Sequence, residues 1–236
     1  MQIIIPMAGR GTRVSGDKPK PLLEVANKPI VEWAISTLNI PGKYTYITRT
    51  YEKQEWNDEL NHLLRKLTPD CNIIPINYTT EGPACSALLA TINSEPLIIA
   101  NCDQAVFWNS TDFLSYVKNN DCDGCLVTYN TNKSANSYAA VDSNGRVTKV
   151  VEKQVISQYS LNGIHYWKNG LDFVQSAQQM IINGERYNNE FYVGPTYNQL
   201  TNNKYIRVYN INPEKHYALG MDIDLDTFKE RISANR

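Results

Sequence analysis

The first hundred residues alternate between short apolar runs and longer segments of helical period, and this alternation constrains the fold more than any other feature. Gln2 to Pro6, Tyr44 to Thr48, Cys71 to Asn77 and Leu97 to Ala100 read as strands. Between them, Ile30, Val31, Ala34, Ile35 and Leu38 share one face of a helix with Pro29 at its first turn. Trp56, Leu60, Leu63, Leu64 and Leu67 stripe a second helix, and a small-residue helix is expected from Pro83 to about Asn93. A β-α-β-α rhythm argues for strands covered on both faces. The expected fold class is therefore α/β: a Rossmann-like mixed, mostly parallel sheet flanked by helices.

Past residue 135 the texture changes. Tyr138 to Val141 and Arg146 to Val151 flank Asp142-Ser143-Asn144-Gly145, a hairpin signal with glycine available for positive φ. A helix near Asp172 to Ile182, a Tyr/Asn-rich stretch (Tyr187 to Asn198), a strand at Tyr205 to Ile211 and a closing helix from about Asp224 follow. Without a linker or an internal repeat in view, residues 1–236 read as one domain. The change of texture divides it into a first half of about 1–135 and a second half of about 136–236.

The formal net charge is −1, which gives no global attraction to nucleic acid or to an anionic membrane. Residues 1 to 28 nevertheless hold five cations (Arg10, Arg13, Lys18, Lys20, Lys28) against two acids (Asp17, Glu24), a balance suited to a small, highly charged ligand. No apolar run approaches a membrane span, and Met1 leads directly into a strand-like run without a signal peptide. The five cysteines lack the density of a disulfide scaffold. Cys122 and Cys125 form a C-x-x-C without a second pair at zinc-ligand spacing, and read as small residues entering a buried strand. A reducing cytoplasm is the expected location, and a homo-oligomer is left open.

Gly9-Arg10-Gly11-Thr12-Arg13 follows the first strand directly. Glycines there let the backbone turn sharply and bring N–H groups close to phosphate oxygens. Two familiar patterns fail. A dinucleotide fingerprint needs glycine where Val14 stands, and a P-loop needs lysine directly after its last glycine, where Gly16 is followed by Asp17.

The run Ile3 to Arg13, followed by Pro19-Lys20-Pro21-Leu22 and then Lys28-Pro29-Ile30, resembles the signature of the sugar-1-phosphate nucleotidyltransferase family. The resemblance implies the nucleotide-diphospho-sugar transferase fold, with Arg13 and Lys20 as the catalytic cations. It also implies that Ala8, Gly9, Gly11, Thr12 and Arg13 contact the nucleotide. The chemistry agrees, because phosphoryl-type transfer asks mainly for alignment and for neutralisation of oxygen charge. An Arg fork and a Lys point charge supply both.

Leu97 to Asp103 resembles the family strand whose Asp binds magnesium, with Asn101 and Cys102 beside the nucleotide. A second carboxylate is expected at Asp222, by analogy with the family's D-x-G-T element. The Gly-Thr is missing here, so Asp222 against Asp224 stays open. Glu81 and Gly82 resemble the base-recognition segment, and an ionised Glu81 suits an amino-bearing base edge. Glu152-Lys153 resembles the family's acceptor-binding E-K dipeptide, Asn162-Gly163 its acceptor-facing glycine, and Glu190 is a candidate for acceptor hydroxyls. His165 alternates with apolar positions and reads as a strand residue.

The expectation is a magnesium-dependent transfer between a nucleoside triphosphate and a sugar 1-phosphate, for surface polysaccharide or glycoconjugate precursors. Two alternatives accompany it: a cytidylyltransferase acting on phosphocholine or a polyol phosphate, and a non-catalytic sensor of nucleotide or nucleotide-sugar. A glycosyltransferase would need its D-x-D at a mid-chain strand end, whereas Asp222-Ile223-Asp224 lies near residue 236.

Overall fold

A computed structural model describes residues 1–11 and 14–234. After β1 (Gln2–Met7) and the glycine loop, a 3-10 turn at Lys20–Leu22 leads into a small hairpin of β2 (Glu24–Val25) and β3 (Lys28–Pro29). Then come α1 (Ile30–Leu38), β4 (Lys43–Arg49), α2 (Gln54–Leu67), β5 (Asn72–Ile76), α3 (Pro83–Ala87) and β6 (Leu97–Ala100). The chain continues through β7 (Gln104–Val106), α4 (Ser110–Asn119), β8 (Gly124–Asn130), β9 (Tyr138–Val141) and β10 (Val147–Val151). The long β11 (Tyr159–Trp167) and α5 (Gly170–Ile182) follow, then a 3-10 segment at Gly194–Gln199. Finally, β12 (Ile206–Ile211), β13 (His216–Ala218) and α6 (Asp222–Ala234) complete the described chain.

The main sheet runs β10-β9-β11-β6-β1-β4-β5, and β8 pairs with β11 and β12 off this path. β1 is parallel to β4 and β6, and β4 to β5, whereas β11 joins β6 antiparallel. The expected α/β class holds, with the parallel block in the first half. Alternation along β1 shows why both faces are covered. Ile3, Ile5 and Met7 enter the core under α1, α2 and α4, with Val31, Leu64 and Phe113. Ile4 enters the opposite core, with Ala84 of α3, Phe173 and Met180 of α5, and Trp167. A third cluster joins Val25, Ile30, Ala105 and Leu219 to Leu225 and Phe228 of α6, which holds the C-terminal helix against the hairpin.

Several expectations are corrected. The small-residue helix stops at Ala87 instead of reaching Asn93. Leu89 and Ala90 donate to carbonyls three residues back, at 3.1 Å each, so the last turn tightens into 3-10 geometry. The last helix begins at Asp222, ahead of Asp224. Asn162 and Gly163 lie inside β11, at a register shift against β8. β7, α4 and β13 were not anticipated. Cys122 and Cys125 are buried free thiols, as their strand reading required.

Candidate active site

Ligands of open α/β sheets sit beyond the carboxyl ends of parallel strands. Here β1 ends at Met7, Ala8 is buried, and the glycine loop begins. Gly11 adopts φ +66°, and a Cβ there would stand 2.9 Å from Lys20 Cβ, so the loop can close on Lys20 only with glycine. Thr12 and Arg13 lie outside the described residues. On the loop's far side Ser15 is held by Asp222. The carboxylate accepts the Ser15 backbone N–H at 3.0 Å and its hydroxyl at 2.9 Å.

Lys20 is placed by its neighbours. Pro19 and Pro21 fix the local backbone, and Leu22 N–H closes the 3-10 turn on Pro19 O at 2.8 Å. The ammonium then lies 2.5 Å from Asp103 Oδ2 and 3.4 Å from Gly220 O. Asp103 stands between β6 and β7, and its backbone carbonyl accepts Leu219 N–H at 2.8 Å, docking the turn that leads into α6. That turn brings Gly220 over the ion pair. A Cβ on Gly220 would lie 3.5 Å from Asp103 Oδ2, 3.8 Å from Asp224 Oδ2 and 3.9 Å from Lys20 Nζ. Asp224 faces the same small space as Asp103 and Lys20, with its Oδ2 also accepting the Met221 N–H at 3.0 Å, whereas Asp222 is engaged with the loop. Among the described residues no set of three or more His, Cys, Asp and Glu forms a ready cage for a metal. A pair of carboxylates is nonetheless a fitting donor set for magnesium, which commonly takes one or two carboxylates plus substrate phosphates.

The base-recognition candidates depend on a close backbone approach. Gly82 has φ +128°, and a Cβ would meet Phe191 N and O at 2.5 Å each. Phe191 N–H donates to Glu81 O at 2.7 Å and Ala84 N–H to Phe191 O at 3.0 Å, so this segment is zipped to residues 190–191. The Glu81 side chain has one oxygen engaged. It forms an ion pair with Arg186, whose guanidinium lies 4.3 Å over the Phe191 ring. Asn101 is joined to β11: its N–H donates to Gly163 O at 3.0 Å, and a Cβ on Gly163 (φ +95°) would stand 2.3 Å from Asn101 Nδ2. Burial, reinforced by Asp103, pushes the Cys102 thiol up to about 12, which leaves it protonated and unreactive.

On the acceptor side, Glu152 is 6% exposed, with the Ser137 hydroxyl donating to its carboxylate. Burial raises its pKa, opposed by Ser137 and then Lys153. Lys153 sits at φ +55° and donates to Ala135 O. Asn162 is 2% exposed; its Oδ1 accepts Ile164 N–H at 3.0 Å, while its Nδ2 has no partner. Glu190, which is exposed, accepts the Tyr192 hydroxyl at 2.8 Å. His165 is buried beside Trp167 and Tyr197, and burial lowers its pKa to about 4, so it is neutral.

The sequence reading missed Ser15, Gly220, Ser137 and Arg186. It also missed His216, packed against Tyr129 at a tilt of 31° with ring centroids 4.2 Å apart and close enough to Asp103 to feel its charge. No local pattern marks these residues. Each becomes legible only through a partner distant in sequence.

This architecture is that of the sugar pyrophosphorylases. The nucleoside-diphosphate-sugar pyrophosphorylase from Vibrio cholerae RC9 superposes with a TM-score of 0.82 at 19% identity, over 97% of this chain and 99% of that one. The inositol-1-phosphate CTP transferase from T. maritima superposes with a TM-score of 0.74 at 14% identity, over 98% and 94%. Likeness at such identities is a likeness of fold. The family follows from the sequence: a model of the nucleotidyl transferase family matches residues 2–193, and the chain belongs to that family. The bifunctional protein GlmU of Thermodesulfovibrio yellowstonii is 25% identical over 203 residues, 79% of this chain. The match covers 43% of that relative's length.

Proposed function

We propose that this nucleotidyltransferase couples a nucleoside triphosphate to a sugar 1-phosphate, giving a nucleoside diphosphate sugar and pyrophosphate. Its product would serve as a precursor for surface polysaccharide or glycoconjugate. The observation that carries the reading is the convergence of Lys20, Asp103 and Asp224 on Gly220, beside the glycine loop.

In this reading an oxygen of the acceptor phosphate attacks the α-phosphorus. The bond from that phosphorus to the bridging oxygen breaks, and pyrophosphate leaves with the electron pair. No protein base is needed, because the acceptor phosphate is largely ionised near neutral pH. Lys20 neutralises charge on the phosphoryl oxygens, and Arg13 is assigned the same task through the family signature. Backbone N–H groups of Gly9 to Gly11 cradle the phosphates. Asp103 and Asp224 would hold a magnesium ion, while Asp222 orients the loop through Ser15. When bound, the ion would offset negative charge on the phosphate oxygens. Buried Glu152 and the unpartnered Nδ2 of Asn162 would contact acceptor hydroxyls, and Gly163, Lys153 and Glu190 are assigned to the acceptor through the family resemblance.

The cytidylyltransferase alternative keeps its support from Glu81: Arg186 pairs with one oxygen of this exposed carboxylate, and the other can accept from an amino-bearing base. The backbone around Gly82 can share in base choice.

The test is magnesium-dependent pyrophosphate release, each triphosphate against a panel of sugar 1-phosphates, phosphocholine and polyol phosphates. Turnover requiring one triphosphate and one sugar 1-phosphate together is expected. Turnover with phosphocholine or a polyol phosphate alone would replace the acceptor. Nucleotide binding without any turnover would favour the sensor.

A further inference from the structure

Three neighbouring strand ends bring two arginines to one hydroxyl. Arg10 follows β1, Arg49 ends β4, and Thr79 lies beyond β5. Arg10 Nε donates to Thr79 Oγ1 at 3.4 Å, and Arg49 Nη1 donates to the same oxygen at 3.2 Å. Among the described residues neither guanidinium has a carboxylate within 4.0 Å. Arg186, by contrast, is matched with Glu81, and Arg146 spends its guanidinium on the carbonyls of Thr201 and Lys204. Arg49 also borders an open cleft of about 210 Å³ lined by Gln54, Asn57, Leu60 and Pro75.

We propose that Arg10, Arg49 and Thr79 form an anion subsite that takes a phosphoryl group. Like charges that share one oxygen repel, and among the described residues no carboxylate within 4.0 Å offsets them. An oxyanion between them would convert that repulsion into attraction and use the guanidinium N–H groups that Thr79 leaves free. Thr79 would turn its hydroxyl proton toward a third oxygen. The position at the carboxyl ends of β1, β4 and β5, next to the glycine loop, is where an open sheet accepts anionic ligands. A phosphoryl group could reach this point from two sources: the polyphosphate end of a nucleotide held by the loop, or free inorganic phosphate. The nucleotide source rests on the nucleotidyltransferase reading; the inorganic source does not.

Calorimetric titration of the full chain with inorganic phosphate, pyrophosphate, a nucleoside triphosphate and the matching monophosphate tests the subsite. The variants are Arg10→Gln and Arg49→Gln, with Arg65→Gln on α2 as a charge-matched control. Either variant is expected to weaken pyrophosphate or phosphate binding about tenfold, the scale of one lost charge-assisted hydrogen bond. The control should leave both unchanged. Loss for triphosphate and pyrophosphate, with monophosphate binding retained, assigns the subsite to the nucleotide's phosphate tail. Inorganic phosphate that still binds triphosphate-saturated protein, and is lost in Arg49→Gln, assigns it to a separate anion. Unchanged affinity for pyrophosphate and phosphate in both variants overturns the proposal. If Arg49→Gln does not fold, Arg10→Gln in the exposed loop decides alone. Because inorganic anions probe the subsite without turnover, its failure is distinguishable from failure of the transferase reading.

Discussion

Gly220→Ala separates the chemistry of the site from the stability of the fold. The glycine lies outside the left-handed region, so alanine can adopt its backbone conformation. The new methyl would sit 3.5 to 3.9 Å from Asp103 Oδ2, Asp224 Oδ2 and Lys20 Nζ, which is ordinary van der Waals contact. Replacing Gly at a compatible position stabilises by about 0.4–1 kcal/mol through the unfolded chain. An apolar group beside three charged atoms offsets that gain, so the melting temperature should move by no more than about 3 °C. Activity is another matter. The methyl takes the space in which a phosphate oxygen or a cation would meet all three groups at once. Losing one such oxyanion contact typically costs about 10²–10³ in kcat, or roughly 2.7–4 kcal/mol. Pyrophosphate release by Gly220→Ala should fall at least that far, with scanning fluorimetry near the unaltered chain. A variant whose kcat/KM stays within about threefold of the original would refute the assignment of this space to the reacting phosphates. Gly163→Ala is the contrasting case. Its φ of +95° and a Cβ 2.3 Å from Asn101 Nδ2 predict a loss of about 3 kcal/mol, or a melting temperature lower by roughly 6–12 °C.

Asp222→Asn and Asp224→Asn should behave differently. Asparagine can still accept from Ser15, so Asp222→Asn keeps its magnesium requirement and loses less than about tenfold in kcat/KM. Asp224→Asn should lose at least about a hundredfold and need more magnesium, and equal losses in the two variants would undo this division of roles. His165 predicts a pH dependence of folding. Its folded pKa, lowered to about 4, lies below the unfolded value of 6.5, so the unfolded state binds the proton first. Stability is full above pH 6.5 and declines by at most about 3 kcal/mol as pH falls toward 4. Denaturant titrations of His165→Asn should show a flatter profile through that window, and an unchanged slope would contradict it. Glu152 has the opposite sign. Its raised pKa means that ionisation opposes folding, so Glu152→Gln should stabilise the fold above the ordinary value of 4.5 and not below it. Thermal midpoints on either side of that value would decide.

Much of the fold was legible because it rests on local periodicity. The alternating apolar positions of β1 and the helical stripe of α1 appear in the structure close to their expected bounds. Family resemblance pointed to Lys20 and Asp103, which come together across 83 positions as an ion pair. The elements that escaped notice are short or polar. β7 and β13 have only three residues each, and their pairing with one another gives no sequence period to detect.

The sequence by itself determined the strand-helix alternation, the glycines that let backbones approach and the cations that follow β1. These are properties of single residues and their spacing. Only the packed fold separates the carboxylate that faces the space at Gly220 from the one that binds the loop. Asp222 and Asp224 are two residues apart at the start of α6; Asp224 caps the Met221 N–H locally, and Asp222 finds its partner 207 residues away in Ser15. The distinction arises because α6 is held by Leu225 and Phe228 against the hairpin core. That packing turns Asp222 toward Ser15 and Asp224 toward Gly220, and a helix's two neighbouring side chains cannot share one direction.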